Sequence, residues 1–509
     1  MTPFRLTRTV RCRSLALVAG LLLFAPDPAA TANAATANAA TAVAARTLQA
    51  SSTRQAKRPT PKKKQKKKAP AKRSSRSTRA GRARPPVVPA LRFTSPRSDA
   101  ALTSDLTTLL SSRTRNGAWG AMVVSITRGD TLFARGADSK MVPASTVKLF
   151  TSAIAFEKLG PEHTFSTDVL RDGPLEVNGV VRGNLVLRGD GDPSLSPRFV
   201  RGGPDASMTM LARFVAGAGI TRVTGDLVAD ASALEMRGIP EGWLTRYAGA
   251  GYAAPFSALT LNENIVIVGV TAGGVGGAGK VFLEPATRGL TITNTVRTVA
   301  GSRTRISARR AGNDRVVVSG TIGARAGTLR YQLVVGDPAT FTGGAFRAAL
   351  EEQGITVDGA LRVGRTPENA TLVTSLPSPP LARLISTMNR ESINIFAELL
   401  FRGAARGPDK RTVGSAENAS ATLNDFMVRQ VGASPDAVRV TDGSGLSVLD
   451  RVTPRALVQL LAEQQARADL QRSQTLARQG FVSPLQEETA LLALRQRQQE
   501  LTMAERELQ

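Results

Sequence analysis

The chain of 509 residues contains one cysteine and one histidine. Cys12 lies in an N-terminal segment patterned like a removable leader, so the mature chain is expected to hold no disulfide and to do no thiol chemistry. Zinc clusters and most metal sites need several His or Cys ligands, so a lone histidine argues against a metal centre. No metal or other cofactor is implied. A Ser-His-Asp triad would have to use His163, which stands in "GPEHTFSTDVL" with no supporting motif and reads as structural or solvated. Aromatic residues make up 4%, too few for platforms that stack bases or sugars. Long apolar runs are scarce as well: the one at residues 15–25 is short for a membrane span. Acidic residues almost vanish from residues 46–99, which hold eighteen Lys or Arg against the single acid Asp99 and supply most of the net charge of +27.

What is present begins with "MTPFRLTRTVRCRSLALVAGLLLFAPDPAATANA". Four arginines precede the apolar run, and Ala-x-Ala patterns follow it. This is the layout of a cleavable signal peptide over residues 1–34, and it implies a periplasmic or secreted protein. Residues 35–99 join an Ala/Thr/Asn repeat to "KRPTPKKKQKKKAPAKRSSRSTRAGRARPP", which cannot bury apolar surface and is expected to be disordered. Behind an export signal, a tract such as 54–84 suits anionic wall polymers or lipid headgroups, attracted less strongly as salt rises. Nucleic acid is not expected, and a solvated spacer has the same composition.

From residue 100 the composition is globular. "AWGAMVVSI" and "TLFARGAD" read as the strands of a hairpin around "TRGD". A helix is expected over 145–159, ending at Gly160. Residues 166–374 are rich in Val, Thr and Gly with frequent turns, a strand-rich region. Apolar positions 381, 384, 385 and 388, then 393, 396 and 397, return to helical spacing.

Ser145 and Lys148 in "VPASTVKLFTSAIAFEKLG" are the only Ser-x-x-Lys pair in the chain. At this spacing both side chains share a helix face. The positive helix end favours an oxyanion formed near the serine, and burial lowers a lysine pKa until its amine can take the serine proton. A serine at the start of an ordinary buried helix gives the same string. Such enzymes place a second polar pair beside the nucleophile, commonly Ser-x-Asn. Ser392-Ile393-Asn394 is the only one here, although a helix-capping serine beside a surface asparagine reads identically.

With "GNLVLRGDGDPSL", "YAAPFSALTLNENIVIV", "MNRESINIFAELL" and "DGSGLSVLDRVTPRALVQLL", these motifs resemble the D-alanyl-D-alanine carboxypeptidase/endopeptidase family, the class C low-molecular-mass penicillin-binding proteins. The resemblance covers residues 100–463. It implies an α/β fold: a β-lactamase/transpeptidase-like domain in two parts, 100–165 and 375–463, with the strand-rich insertion 166–374 between its first and second motifs. It implies Ser145 as acylated nucleophile, Lys148 as general base, Ser392 as proton relay and Asn394 as substrate contact. Peptidoglycan peptides and β-lactams are then the partners. Asp442 and Ser444 match a family stretch near the site, though a glycine turn explains them as well. Asp190 and Asp192 suggest a metal loop but fit a turn in the insertion better. A β-lactamase-like hydrolase and a non-catalytic wall-binding or adaptor-like protein are the alternatives.

The family's third motif, Lys-Thr/Ser-Gly, occurs nowhere in the chain. Residues 464–509 instead resemble the helical hairpin of periplasmic adaptor (membrane-fusion) proteins, with Arg472, Leu476 and Ser483 at the spacing of a partner-contacting tip. Leu494, Leu501 and Leu508 follow at seven-residue intervals. The expectation is a fused or frameshifted product whose transpeptidase sheet is incomplete and whose activity is impaired.

Overall fold

The computed structural model describes residues 98–113, 117–407, 412–478 and 491–492, with a short strand at Ala19–Leu22. The basic tract, the leader apart from that strand, and Ser483 lie outside the described residues. The chain divides into two units, residues 25–109 and the remainder. Of the first, residues 98–109 are described, and 99–109 belong to helix α1 (Asp99–Arg113).

In the larger unit the expected hairpin forms: Gly120–Val124 pairs antiparallel with Thr131–Arg135, with a register shift at Val123/Val124. Ala19–Leu22 pairs antiparallel along the other edge of Gly120–Val124. Among the described residues seven further α-helices follow: α2 (Val147–Leu159), α3 (Ala206–Gly217), α4 (Pro338–Glu352), α5 (Leu381–Glu391), α6 (Asn394–Arg406), α7 (Ala416–Arg429) and α8 (Pro454–Arg478). Helix α2 is the hub. It packs against α5, α6 and α7, and eight of its thirteen residues are buried, Lys148 among them. A helix apolar almost all round has to sit inside a core. Gly160, at φ 82, ends it where a side chain would be strained.

Helix α5 buries one stripe, Leu381, Leu384, Ile385 and Met388, at the i, i+3, i+4, i+7 spacing of a one-sided amphipathic helix. It stops at Ser392, whose backbone is left-handed (φ 55, ψ 43), and Ile393 is extended before α6 begins. A non-glycine residue held there costs about 1–3 kcal/mol. The break turns two helices around the second motif.

The strand-rich region forms several sheets. A five-stranded mixed sheet runs in the order Leu361–Val363, Leu227–Asp230, Leu185–Gly189, Ser166–Arg171, Thr371–Pro377. Helix α4 covers part of it and packs on α3. Strand Ile265–Thr271 joins Lys280–Glu284 and Leu329–Val334 in an antiparallel sheet. Thr291–Val299 lies parallel to Arg315–Gly323, which pairs antiparallel with Arg305–Ala311. Chain order and space order differ, so one long excursion returns to α5 beside α2.

Helix α8 packs against strand Gly120–Val124 and crosses residue 463 without a break. Glu463 is buried, and Arg467 pairs with both Glu463 and Glu157 of α2. Arg472 and Leu476 lie within this same helix, and Arg472 is held by Asp469 at 3.1 Å. Among the described residues no helix is long and apolar enough to cross a membrane.

Candidate active site

Ser145 sits in a 3₁₀ turn, Ala144–Thr146, that runs directly into α2. Ala144 before it is left-handed, at φ 49, and Ser145 itself is exposed. Lys148, one turn on, is 2% exposed. Its Nζ lies 3.3 Å from Ser145 Oγ and donates to Asn394 Oδ1 at 2.7 Å and to the Ser444 carbonyl at 2.8 Å. Ser392 Oγ stands 3.1 Å from Ser145 Oγ. The fold therefore brings Ser145, Lys148, Ser392 and Asn394 together from two segments about 250 residues apart in sequence.

The lysine geometry has a chemical consequence. A neutral amine has two N–H bonds and one lone pair in a tetrahedral arrangement. Asn394 Oδ1 and the Ser444 carbonyl occupy the two N–H directions, and the remaining direction belongs to Ser145 Oγ. Burial in the helix core lowers the Lys148 pKa to about 8, against the opposing pull of the Glu398 and Asp442 charges. At pH 7 about a tenth of the molecules then carry the free amine.

Glu398, on the inner face of α6, is fully buried and accepts from Arg402 Nη1 at 2.7 Å. Burial, reinforced by Asp442, pushes its carboxyl up to about 7, with Arg402 pulling the other way. Arg402 also donates to Glu235 Oε1 at 2.8 Å, and its guanidinium stacks 3.7 Å from the Phe256 ring centroid. These contacts pin α6 to the insertion and fix Asn394 at its start. The asparagine is held from its other end too: Nδ2 donates to the Tyr252 carbonyl at 2.9 Å.

Asp442 and Ser444 also belong to this cluster. The 442–447 loop packs so tightly beneath the nucleophile that a Cβ on Gly445 (φ 78) would lie 1.8 Å from the Ala144 carbonyl oxygen. Asp190 and Asp192 do not join it. Asp190 pairs with Arg406, and Asp192 Oδ1 caps the Ser194 N–H at 2.7 Å in a turn. Among the described residues no three His, Cys, Asp or Glu side chains group to hold a metal ion. His163 packs edge-on against Phe165, centroids 5.0 Å apart.

Sequence reasoning missed the partners of the motif residues. The Ser444 and Tyr252 carbonyls are backbone groups and leave no mark in residue identity. Glu398 and Arg402 did leave one: opposite charges at i, i+4 inside the otherwise apolar "NIFAELLFRGAA".

Comparison with known proteins bears on the fold and the family. A curated D-alanyl-D-alanine carboxypeptidase from Actinomadura sp. is 29% identical over 374 residues, covering 71% of this chain and 67% of that protein. D-alanyl-D-alanine carboxypeptidase DacB from Haemophilus influenzae is 25% identical, covering 63% and 65%. The chain thus spans about two thirds of the length of these relatives. The crystal structure of penicillin binding protein 4 (dacB) from Haemophilus influenzae superposes with a TM-score of 0.59 at 22% identity, covering 72% of this chain and 79% of that one. The fold is therefore the mixed α/β transpeptidase-like one with a large insertion. Residues 102–490 match the model of the D-Ala-D-Ala carboxypeptidase 3 (S13) family, and the chain belongs to that family.

Proposed function

We propose that this chain is an exported serine peptidase that cleaves the terminal D-Ala-D-Ala amide of peptidoglycan stem peptides and is acylated by penicillins. The observation that carries the proposal is the Lys148 amine, buried and held by two acceptors so that its third direction meets Ser145 Oγ. Its free amine takes the Ser145 proton as Oγ attacks the carbonyl carbon. The C–N bond then breaks. The proton passes through Ser392 Oγ to the leaving amine, D-Ala departs, and an ester remains on Ser145. Water attacks the ester and gives a proton to Lys148, which passes it to Ser145 Oγ as the C–O bond breaks, so the shortened peptide leaves as its acid and the serine and free amine are restored. Asn394, fixed by Lys148 and Tyr252, presents its amide to the bound peptide. The leader pattern supports export, and the basic tract at 54–84 supports retention on an anionic wall or lipid surface.

D-Ala release from a D-Ala-D-Ala peptide tests this, measured for the chain and for its Ser145→Ala and Lys148→Arg variants. The chain should release D-Ala, Ser145→Ala none, and Lys148→Arg about 10³-fold less. Turnover unchanged in Ser145→Ala refutes the nucleophile, and rapid turnover of a penicillin adduct favours a β-lactamase.

A further inference from the structure

Beneath the reactive groups lies a pair of carboxyls that the reaction just described does not use. Asp442 and Asp450 are both 0% exposed. Asp442 Oδ1 accepts from the Ser444 N–H at 3.2 Å and the Gly445 N–H at 2.6 Å. Its Oδ2 accepts from Trp243 Nε1 at 2.6 Å, the Ser447 N–H at 2.9 Å, the Leu446 N–H at 3.1 Å and Ser444 Oγ at 3.2 Å. Six donors on one side chain engage both oxygens as acceptors, so backbone and side-chain dipoles converge on it.

Asp450 is different. Its Oδ1 accepts from the Thr441 N–H at 2.8 Å and Thr441 Oγ1 at 3.0 Å. Its Oδ2 is buried and receives no donor. Beside the charge of Asp442, a second bare carboxylate is unfavourable, whereas a carboxylic acid has an O–H to give to its neighbour. Burial first, and the Asp442 charge second, push the Asp450 carboxyl up to about 9.

We propose that Asp442 is the positioning residue for the Lys148 amine, with Asp450 as its protonated hydrogen-bond donor. The connection runs through both anchors of the lysine. Asp442 shapes the 442–447 turn, and the Ser444 carbonyl of that turn takes one Lys148 N–H. Through Trp243 it also holds the segment leading to Tyr252, whose carbonyl fixes Asn394, the second anchor. The charged and titratable groups that feel Asp442 are Lys148 from α2, Glu398 from α6, and Asp450. The Asp442 charge raises the proton affinity of Lys148 and offsets part of the burial effect.

The inference rests on Lys148 acting as base, so its test includes a readout that needs no catalysis. In the full chain labelled with ¹³Cε-lysine, the Lys148 signal, assigned by Lys148→Arg, is titrated by NMR and penicillin acylation is followed over the same pH range. Asp442→Asn should move the Lys148 midpoint to lower pH and slow acylation about tenfold or more, since it removes the charge and turns an amide N–H against backbone donors. Asp450→Asn mimics the protonated acid in shape and donor. It should keep the midpoint, and an acylation rate within about threefold of the parent. A folded Asp442→Asn with the parent midpoint and rate overturns the proposal. So does an Asp450→Asn variant as damaged as Asp442→Asn, because Asp450 would then be needed as an anion. Where Asp442→Asn does not fold, the Asp450→Asn arm decides. A titrating lysine without any acylation of the parent refutes the proposed function and leaves the positioning claim to be judged on the midpoints.

Discussion

Raising the pH from 6 to 9 should accelerate acylation of Ser145 by about a hundredfold. The Lys148 amine has to be neutral to accept the serine proton. An ordinary lysine, with a pKa of about 10.4, would be neutral in well under 0.1% of molecules at pH 7. Burial on the inner face of α2 brings the value to about 8, which multiplies the free amine about 300-fold, equivalent to about 3 kcal/mol. The neutral fraction then climbs from about 1% at pH 6 to about 90% at pH 9. The sign follows from the cause: burial penalises the charged form, so the reactive form gains as pH rises through 8. Glu398→Gln removes a charge that opposes this effect and should move the midpoint to lower pH. Lys148→Arg places a guanidinium that does not deprotonate and should cost about 10³ in rate. The assay is the second-order rate constant for a fluorescent penicillin, measured in buffers of constant ionic strength. A rate that is flat or falls between pH 6 and 9, or Lys148→Arg within tenfold of the parent, refutes the base assignment.

Two further outcomes follow from packing and from charge. Gly445→Ala should lower stability by about 2–4 kcal/mol, because its Cβ meets the Ala144 carbonyl oxygen and φ 78 is unfavourable for alanine; a urea unfolding midpoint unchanged from the parent contradicts that packing. Deleting residues 54–84 should weaken binding to anionic vesicles or wall preparations at low salt, and the difference should fade as salt rises. Equal binding with and without the tract across salt concentrations would make it a spacer.

Legibility in the sequence depended on how local each signal was. The hairpin around "TRGD", the helix ending at Gly160 and the stripe 381, 384, 385, 388 are set by periodicity and turn residues within a few positions. They appear where those patterns place them. The candidate site was legible because Ser-x-x-Lys and Ser-x-Asn are each unique in the chain, and the fold brings them to hydrogen-bonding distance. The grouping of the strands into sheets was not legible. Their order depends on non-local pairings such as Leu185–Gly189 with Leu227–Asp230, and many alternations of Val and Thr fit several partners equally well. Asp442 was underread for a related reason: "DGSGLS" spells a turn, and nothing in that string says that the turn wraps a buried carboxylate under the lysine. Helix α8 continues through residue 463, where the composition changes, and Arg467 pairs there with both Glu463 and Glu157.

The most direct test of the account is where a penicillin attaches. The full chain is incubated with a labelled penicillin at pH 8 to 9, digested, and the adduct located by mass spectrometry, with Ser145→Ala and Ser392→Ala run alongside. A single acyl adduct is expected on Ser145, none in Ser145→Ala, and slower formation at the same residue in Ser392→Ala. An adduct on another residue, or labelling that persists unchanged in Ser145→Ala, contradicts it.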